Sequence, residues 1–166
     1  VTITITFTHM LDKIILFGLV SSLYACSTAP NIPNEPTLDF ISFSKQNMIQ
    51  GRSIVDSVFL QISFTDGDGD IGSDEVVNMT IIDNRTGDPY GVYRVPAIPE
   101  PGANNGVTGT MTIKLFNTCC LEPNGDEVCE DVTVPSNELS FDIVLTDRAG
   151  NDSNRLTTPS LQLICF

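Results

Sequence analysis

The chain has no tryptophan, a single histidine, and eight Lys and Arg residues against 21 Asp and Glu. Each shortage excludes something. A net charge of -13 repels a phosphate backbone, and no basic cluster offsets it, so nucleic acid is not a partner. His9 lies ahead of a leader-like segment, so a chain cut behind that segment has no imidazole, the commonest general base and zinc ligand. A Ser or Cys nucleophile then lacks its usual activating partner. Two carboxylates could run a glycosidase-type reaction, but the acids gather in turns instead of lining a cleft, and no enzyme is expected. The missing tryptophan also weighs against a sugar-stacking face. No helical stripe of apolar residues appears after residue 36, and 166 residues suffice for one ordinary core.

What is present begins with an address. Residues 1–9 alternate apolar residues with Thr and precede a better start at Met10, which reads as an upstream extension. Residues 10–25 run from a short polar segment with Lys13, through ten apolar or small residues at 14–23, to a small-residue site before Cys26. That is the layout of a secretory signal, too short to span a bilayer as a helix. Leu23-Tyr24-Ala25-Cys26 resembles the lipobox of bacterial lipoproteins, which implies cleavage before Cys26 and acylation of its thiol. Each buried acyl methylene contributes about 0.8 kcal/mol to membrane attachment. Residues 26–36 carry three prolines and little apolar content, so an extended linker is predicted. Cleavage removes Asp12 and Lys13 together and leaves the net charge unchanged.

Residues 37–166 read as strands. Val58, Leu60, Ile62 and Phe64 form one period-two stripe; Met111, Ile113 and Leu115 form another; Leu139, Phe141, Ile143 and Leu145 form the clearest. Val77, Met79 and Ile81, then Leu161 and Leu163, add two more, and 38–44 is a first strand. Turn clusters lie at 84–89 and 123–126, the latter holding the hairpin pair Asn124-Gly125. About seven short strands predict an all-β, immunoglobulin-like antiparallel sandwich.

Asp66-Gly67-Asp68-Gly69-Asp70 and the following Asp74 and Glu75 put five carboxylates in ten residues, with no Lys or Arg between Arg52 and Arg85. Such density repels itself unless solvated or neutralised. Alternating Asp and Gly lets a loop curl its oxygens together, as Ca2+ with its six to eight hard ligands requires, although the spacing is not that of an EF-hand. If the strands ending at Phe64 and Leu145 are the second and sixth of the sandwich, the loops behind them share one end. Asp66, Asp68, Asp70, Asp147 and Asp152 are then the predicted ligands, with Glu35 or Asp39 able to join.

An exported chain with four cysteines beyond Cys26 is expected to form two disulfides among Cys119, Cys120, Cys129 and Cys165. The favoured pairing joins Cys120 to Cys129 across the hairpin and Cys119 to Cys165, with the exchanged pairing close behind. A zinc site would need paired C-x-x-C hooks that are missing. Residues 96–109 are rich in Pro, Gly and Asn and read as a loop. Tyr90 and Tyr93 flank a turn and either cover the core or present rings to a glycan or peptide.

The acidic run at 66–72 and the segment Asp147-Arg148-Ala149-Gly150-Asn151-Asp152-Ser153, behind a lipobox, resemble the immunoglobulin-like and cadherin-like modules of bacterial surface lipoproteins, including those of Bacteroidota. The resemblance implies an outer-membrane, lipid-anchored, non-enzymatic domain that binds an envelope protein or supports an envelope assembly, stabilised by Ca2+. A glycan-binding accessory of a carbohydrate-uptake system is the alternative it leaves open. Ser27-Thr28-Ala29 behind Cys26 lacks the acidic run associated with surface export, so the face of display is open as well.

Overall fold

The computed structural model describes residues 32–52, 56–98 and 106–166. The upstream extension, the signal segment and Cys26 lie outside the described residues. Among those described, all regular structure is strand, and no helix is long and apolar enough to cross a membrane.

One sheet sets β3 (Ser57–Asp66) between β1 (Thr37–Phe43) and β6 (Val107–Phe116), all antiparallel. The facing sheet runs in the order β11 (Leu156–Thr157), β10 (Phe141–Leu145), β4 (Met79–Asp83), β5 (Pro89–Tyr93). A smaller sheet places β12 (Leu161–Ile164) between β2 (Asn47–Ile49) and β9 (Ser136–Leu139), and β7 (Cys120–Leu121) pairs with β8 (Glu127–Val128) as a hairpin. The two large sheets bury one continuous core: Leu38, Val58, Leu60, Ile62 and Leu115 from the first meet Met79, Ile81, Phe141, Ile143 and Leu145 from the second. Alternation is why these sequences become strands, since every second residue gains burial while its neighbours stay wet.

Ten of the twelve segments merge into seven immunoglobulin-like strands, and the β7–β8 hairpin is inserted between the fifth and the sixth. The Leu139 to Leu145 stripe is one sixth strand broken at Ser140: β9 pairs with β12, while β10 pairs with β4 and β11. The last strand divides likewise into β11 and β12, and β2 runs parallel to β12 as a continuation of the first strand. The core is therefore an all-β sandwich with the first, second and fifth strands facing the other four.

Several expectations shift. Val77 lies ahead of β4 and is 61% exposed, so that stripe starts at Met79. Tyr90 and Tyr93 both belong to β5 instead of flanking a turn. Val107 to Gly109 belong to β6, which shortens the 96–109 loop. The last linker residues are docked: Pro36 is buried, and the Pro33 carbonyl accepts the Gly67 N–H at 2.8 Å. Gly67 permits this approach, because a Cβ there would lie 2.3 Å from the Ile32 carbonyl oxygen. Asn154 clasps the start of β1 from the side, accepting the Leu38 N–H at 2.7 Å and donating to its carbonyl at 3.0 Å.

The cysteines pair as Cys119–Cys129 and Cys120–Cys165, with Cα separations of 4.5 and 6.0 Å. This is the exchange of the favoured pairing. Successive residues of an extended segment point to opposite sides. Cys120, fully buried, faces the chain's last strand, and Cys119 is left to close the β7–β8 hairpin.

Candidate metal centre

The loops leaving β3 and β10 emerge at the same end of the sandwich and are laced together. The Arg148 N–H donates to the Asp70 carbonyl at 3.3 Å and the Ala149 N–H to Asp70 Oδ2 at 2.9 Å. Arg148 Nη1 reaches the carbonyls of Ile71 and Gly72, each at 3.3 Å. Within the first loop the Asp70 N–H donates to Asp66 Oδ2 at 2.8 Å, and Gly69 and Gly72 take positive φ values of 76° and 86°. Those left-handed conformations curl the run as Asp-Gly alternation predicts. Within the second loop, Asp147 accepts from the backbone and side-chain nitrogens of Asn151, both at 2.8 Å.

This lacing draws one carboxylate oxygen from each of Asp66, Asp68, Asp70 and Asp147 within 4.8 Å of one another. Asp66 is 0% exposed and Asp147 7%. Asp66 Oδ1, Asp68 Oδ1 and Asp70 Oδ1 are buried with no hydrogen-bond partner. Buried polar atoms without partners are rare and costly, and the crowding of the four carboxylates compounds the cost. Burial, together with the charges of Asp68, Asp70 and Asp147, pushes the Asp66 carboxyl up to about 6, although the Asp70 N–H opposes it. Asp70 is raised by burial first and then by Asp147 and Asp68, against the pull of the Ala149 N–H and Arg148. A divalent cation removes both penalties at once. Oxygens around Ca2+ at 2.3–2.6 Å stand at most about 5.2 Å apart, and the four here fit inside that limit. The cluster can hold a metal ion through hard oxygen ligands.

Asp152 does not belong to it. Its Oδ1 accepts the Thr146 hydroxyl at 2.7 Å and the residue is exposed, because the turn at Gly150 (φ 93°) carries it past the cluster. Glu35 and Asp39 are exposed, and Asp39 lies on β1 opposite Ser63.

A cavity of about 420 Å³ opens beside β5, lined by Tyr90, Tyr93, Asp88, Asn117 and Glu127 among others. Tyr90 mainly covers the core. Its ring packs edge-on against Phe141 at 5.0 Å and its hydroxyl donates to the Phe116 carbonyl at 2.6 Å, while burial holds the phenol above its ordinary range. Arg85, also at this cavity, is consumed by a buried ion pair with Asp83 and by donation to the Cys119 carbonyl and Asn137 Oδ1. The sequence reading missed this pair, although the tight turn at 84–89 keeps both residues adjacent.

No family model, curated protein or solved structure matches the chain.

Proposed function

We propose that this protein is a non-enzymatic domain held on the outer membrane through an acylated Cys26, where it binds a partner protein or supports an envelope assembly, with Ca2+ closing one end of the sandwich. The observation that supports this reading best is the enclosure of the acidic cluster. Three of its oxygens are closed off from solvent, so a bare ion can meet them and a substrate cannot. That favours a structural ion over a carboxylate pair working on a bound molecule. Ca2+ suits the irregular, loop-borne ligands better than Mg2+, which demands near-ideal octahedral geometry at 2.0–2.1 Å.

Thermal unfolding of the oxidised protein with Ca2+, then EDTA, with Mg2+ as control, tests the ion. A Ca2+-specific rise in Tm at sub-millimolar to millimolar ion supports the reading, and an unmoved Tm removes it. Mass spectrometry of the membrane fraction tests the anchor: acylation of a peptide beginning at Cys26 is expected, and its loss with release from membranes in Cys26→Ser.

Glycan capture is the second reading, favoured by one observation, that Tyr90 and Tyr93 share the polar cavity with Asp88 and Glu127. Saturable binding on a glycan array, lost in Tyr93→Ala, would promote it.

A further inference from the structure

The edges of the sheets are not equally protected. A free strand edge is a template for pairing, and proteins blunt such edges with bulges, proline, charge or brevity. β1 is broken by a register shift between Phe40 and Ser42. β5 starts at Pro89 and shifts register against Ile81 and Ile82. β11, β2 and β9 run for two, three and four residues. β6 differs from all of these. It holds ten consecutive pairs with β3, from Ser57 opposite Phe116 to Asp66 opposite Val107, with no break, and it contains no proline. Among the described residues no strand pairs with its other side. Its only charged residue is Lys114.

The core is also open beside this edge. Leu60 and Ile62 on β3 are 0% exposed, yet their register partners on the same face of β6, Ile113 and Met111, are only half-buried. A groove of about 320 Å³ runs there between β6 and the end of β5, floored by Met79, Tyr93, Val95, Met111 and Ile113. Arg94 and Lys114 flank it. Arg94 donates to the Asp74 carbonyl at 3.0 Å and Lys114 lies 5.0 Å from the Phe116 ring centroid, and neither has a carboxylate partner among the described residues. In so acidic a chain, two cations left without counter-charge on one apolar groove are a local exception. Screening over about 8 Å at physiological salt lets those two charges, not the distant net charge, decide what sits there.

We propose that the free edge of β6 receives an extended segment of a partner protein as an added strand, with alternate apolar side chains entering the groove and an Asp, Glu or C-terminal carboxylate meeting Arg94 and Lys114. Main-chain hydrogen bonds supply the affinity in this mode, and the groove and the two cations supply the selectivity. A second copy of this chain fits less well, since it would bring the same cations and a net charge of -13. The inference rests on the partner-binding reading above and names its surface.

The test pans a displayed random-nonapeptide library against the full chain purified in detergent, then synthesises the enriched peptide. Enriched sequences are expected to alternate apolar and polar residues and to carry Asp or Glu. The R94E/K114E double variant should weaken binding at least about tenfold. Methylating every second backbone nitrogen of the peptide should abolish binding in one of the two registers, and amide exchange should slow along residues 107–113. Absence of enrichment, enrichment of basic peptides, or binding indifferent to methylation in both registers overturns the proposal. A concentration-dependent dimer that protects β6 overturns it too, because the edge then belongs to a second copy. Any of these failures with the Ca2+-dependent Tm shift intact removes this surface and leaves the ion reading standing.

Discussion

Where β3 begins, at Ser57, the sandwich is closed by covalent bonds; where it finishes, roughly 30 Å away at Asp66, it is closed by groups that repel one another. Around the first end, Cys120–Cys165 ties the last strand to β7, Cys119–Cys129 closes the β7–β8 hairpin, and Gln50 bridges the Phe166 carbonyl and the Cys120 N–H. At the second end two loops are joined by hydrogen bonds, yet they press four carboxylates together. The first end is stable in any solution that keeps its cysteines oxidised. On the proposed reading, the second depends on what ion the solution supplies. A domain built this way separates permanent shape from conditional shape, and the two can be perturbed independently.

The largest expected effect lies at the covalent end. Replacing Cys120 and Cys165 together by Ala opens a link of sequence separation 45 and should cost about 4 kcal/mol, against about 3 kcal/mol for Cys119 with Cys129, whose separation is 10. Both losses, read by urea unfolding, should be the same with Ca2+ or EDTA. A loss that depends on Ca2+ would mean the two ends are coupled.

The next effect is a pH response confined to the acidic end. Asp66 moves from 3.8 to about 6 on folding, so between about pH 4 and pH 6 the folded state holds a proton that the unfolded state has released. The metal-free protein should therefore lose stability as pH rises through that window, by about 3 kcal/mol in full. Ca2+ competes for the same carboxylate, so its stabilisation should grow across the window. Chemical unfolding at pH 4, 5, 6 and 7 with and without EDTA checks both signs.

Ligand substitutions come third. At Ca2+ a hundredfold above its Kd, stabilisation is about 2.7 kcal/mol, and Asp68→Ala and Asp147→Ala should each remove it. Loss from only one of them would break the two-loop site. Asp66→Asn should also abolish the Ca2+ response while leaving the metal-free protein more stable than the wild type near neutral pH. The smallest effect is expected at Asp152→Ala, whose exposed carboxylate serves Thr146: a change within about 0.5 kcal/mol and an unaltered Ca2+ response.

The same contrast governs what could be read from the sequence. Stripes at Val58 to Phe64 and Phe141 to Leu145 were legible because period-two burial needs only the identity of alternate residues. Which strand each one pairs with was not. The stripe from Leu139 to Leu145 continues through Ser140 while the hydrogen-bonding partner changes from β12 to β4. Strands of two or three residues such as β2, β7 and β11 are too short to carry a period. The acidic run was legible as a loop that needs neutralising, and Asp147 joined it from strand order alone. Asp152 did not, because one turn at Gly150 sets its direction. Cys119 and Cys120 have nearly the same spacing to either partner, and only the side to which each points decides the pairing. The free edge of β6 has no signature in its own residues, since it is defined by the absence of a neighbouring strand among the described residues.

The docking of Pro33 at Gly67 and the tie of Cys165 to Cys120 have a mechanical consequence. They place the two ends of the described chain at opposite poles of the sandwich. A pull between those poles runs along β1 and β3, whose six paired positions would be strained together in shear, with the Asn154 clasp on Leu38 sharing the load. Bonds loaded side by side must fail at once instead of opening in turn like a zipper, so the fold resists tension along its long axis far better than peeling across it.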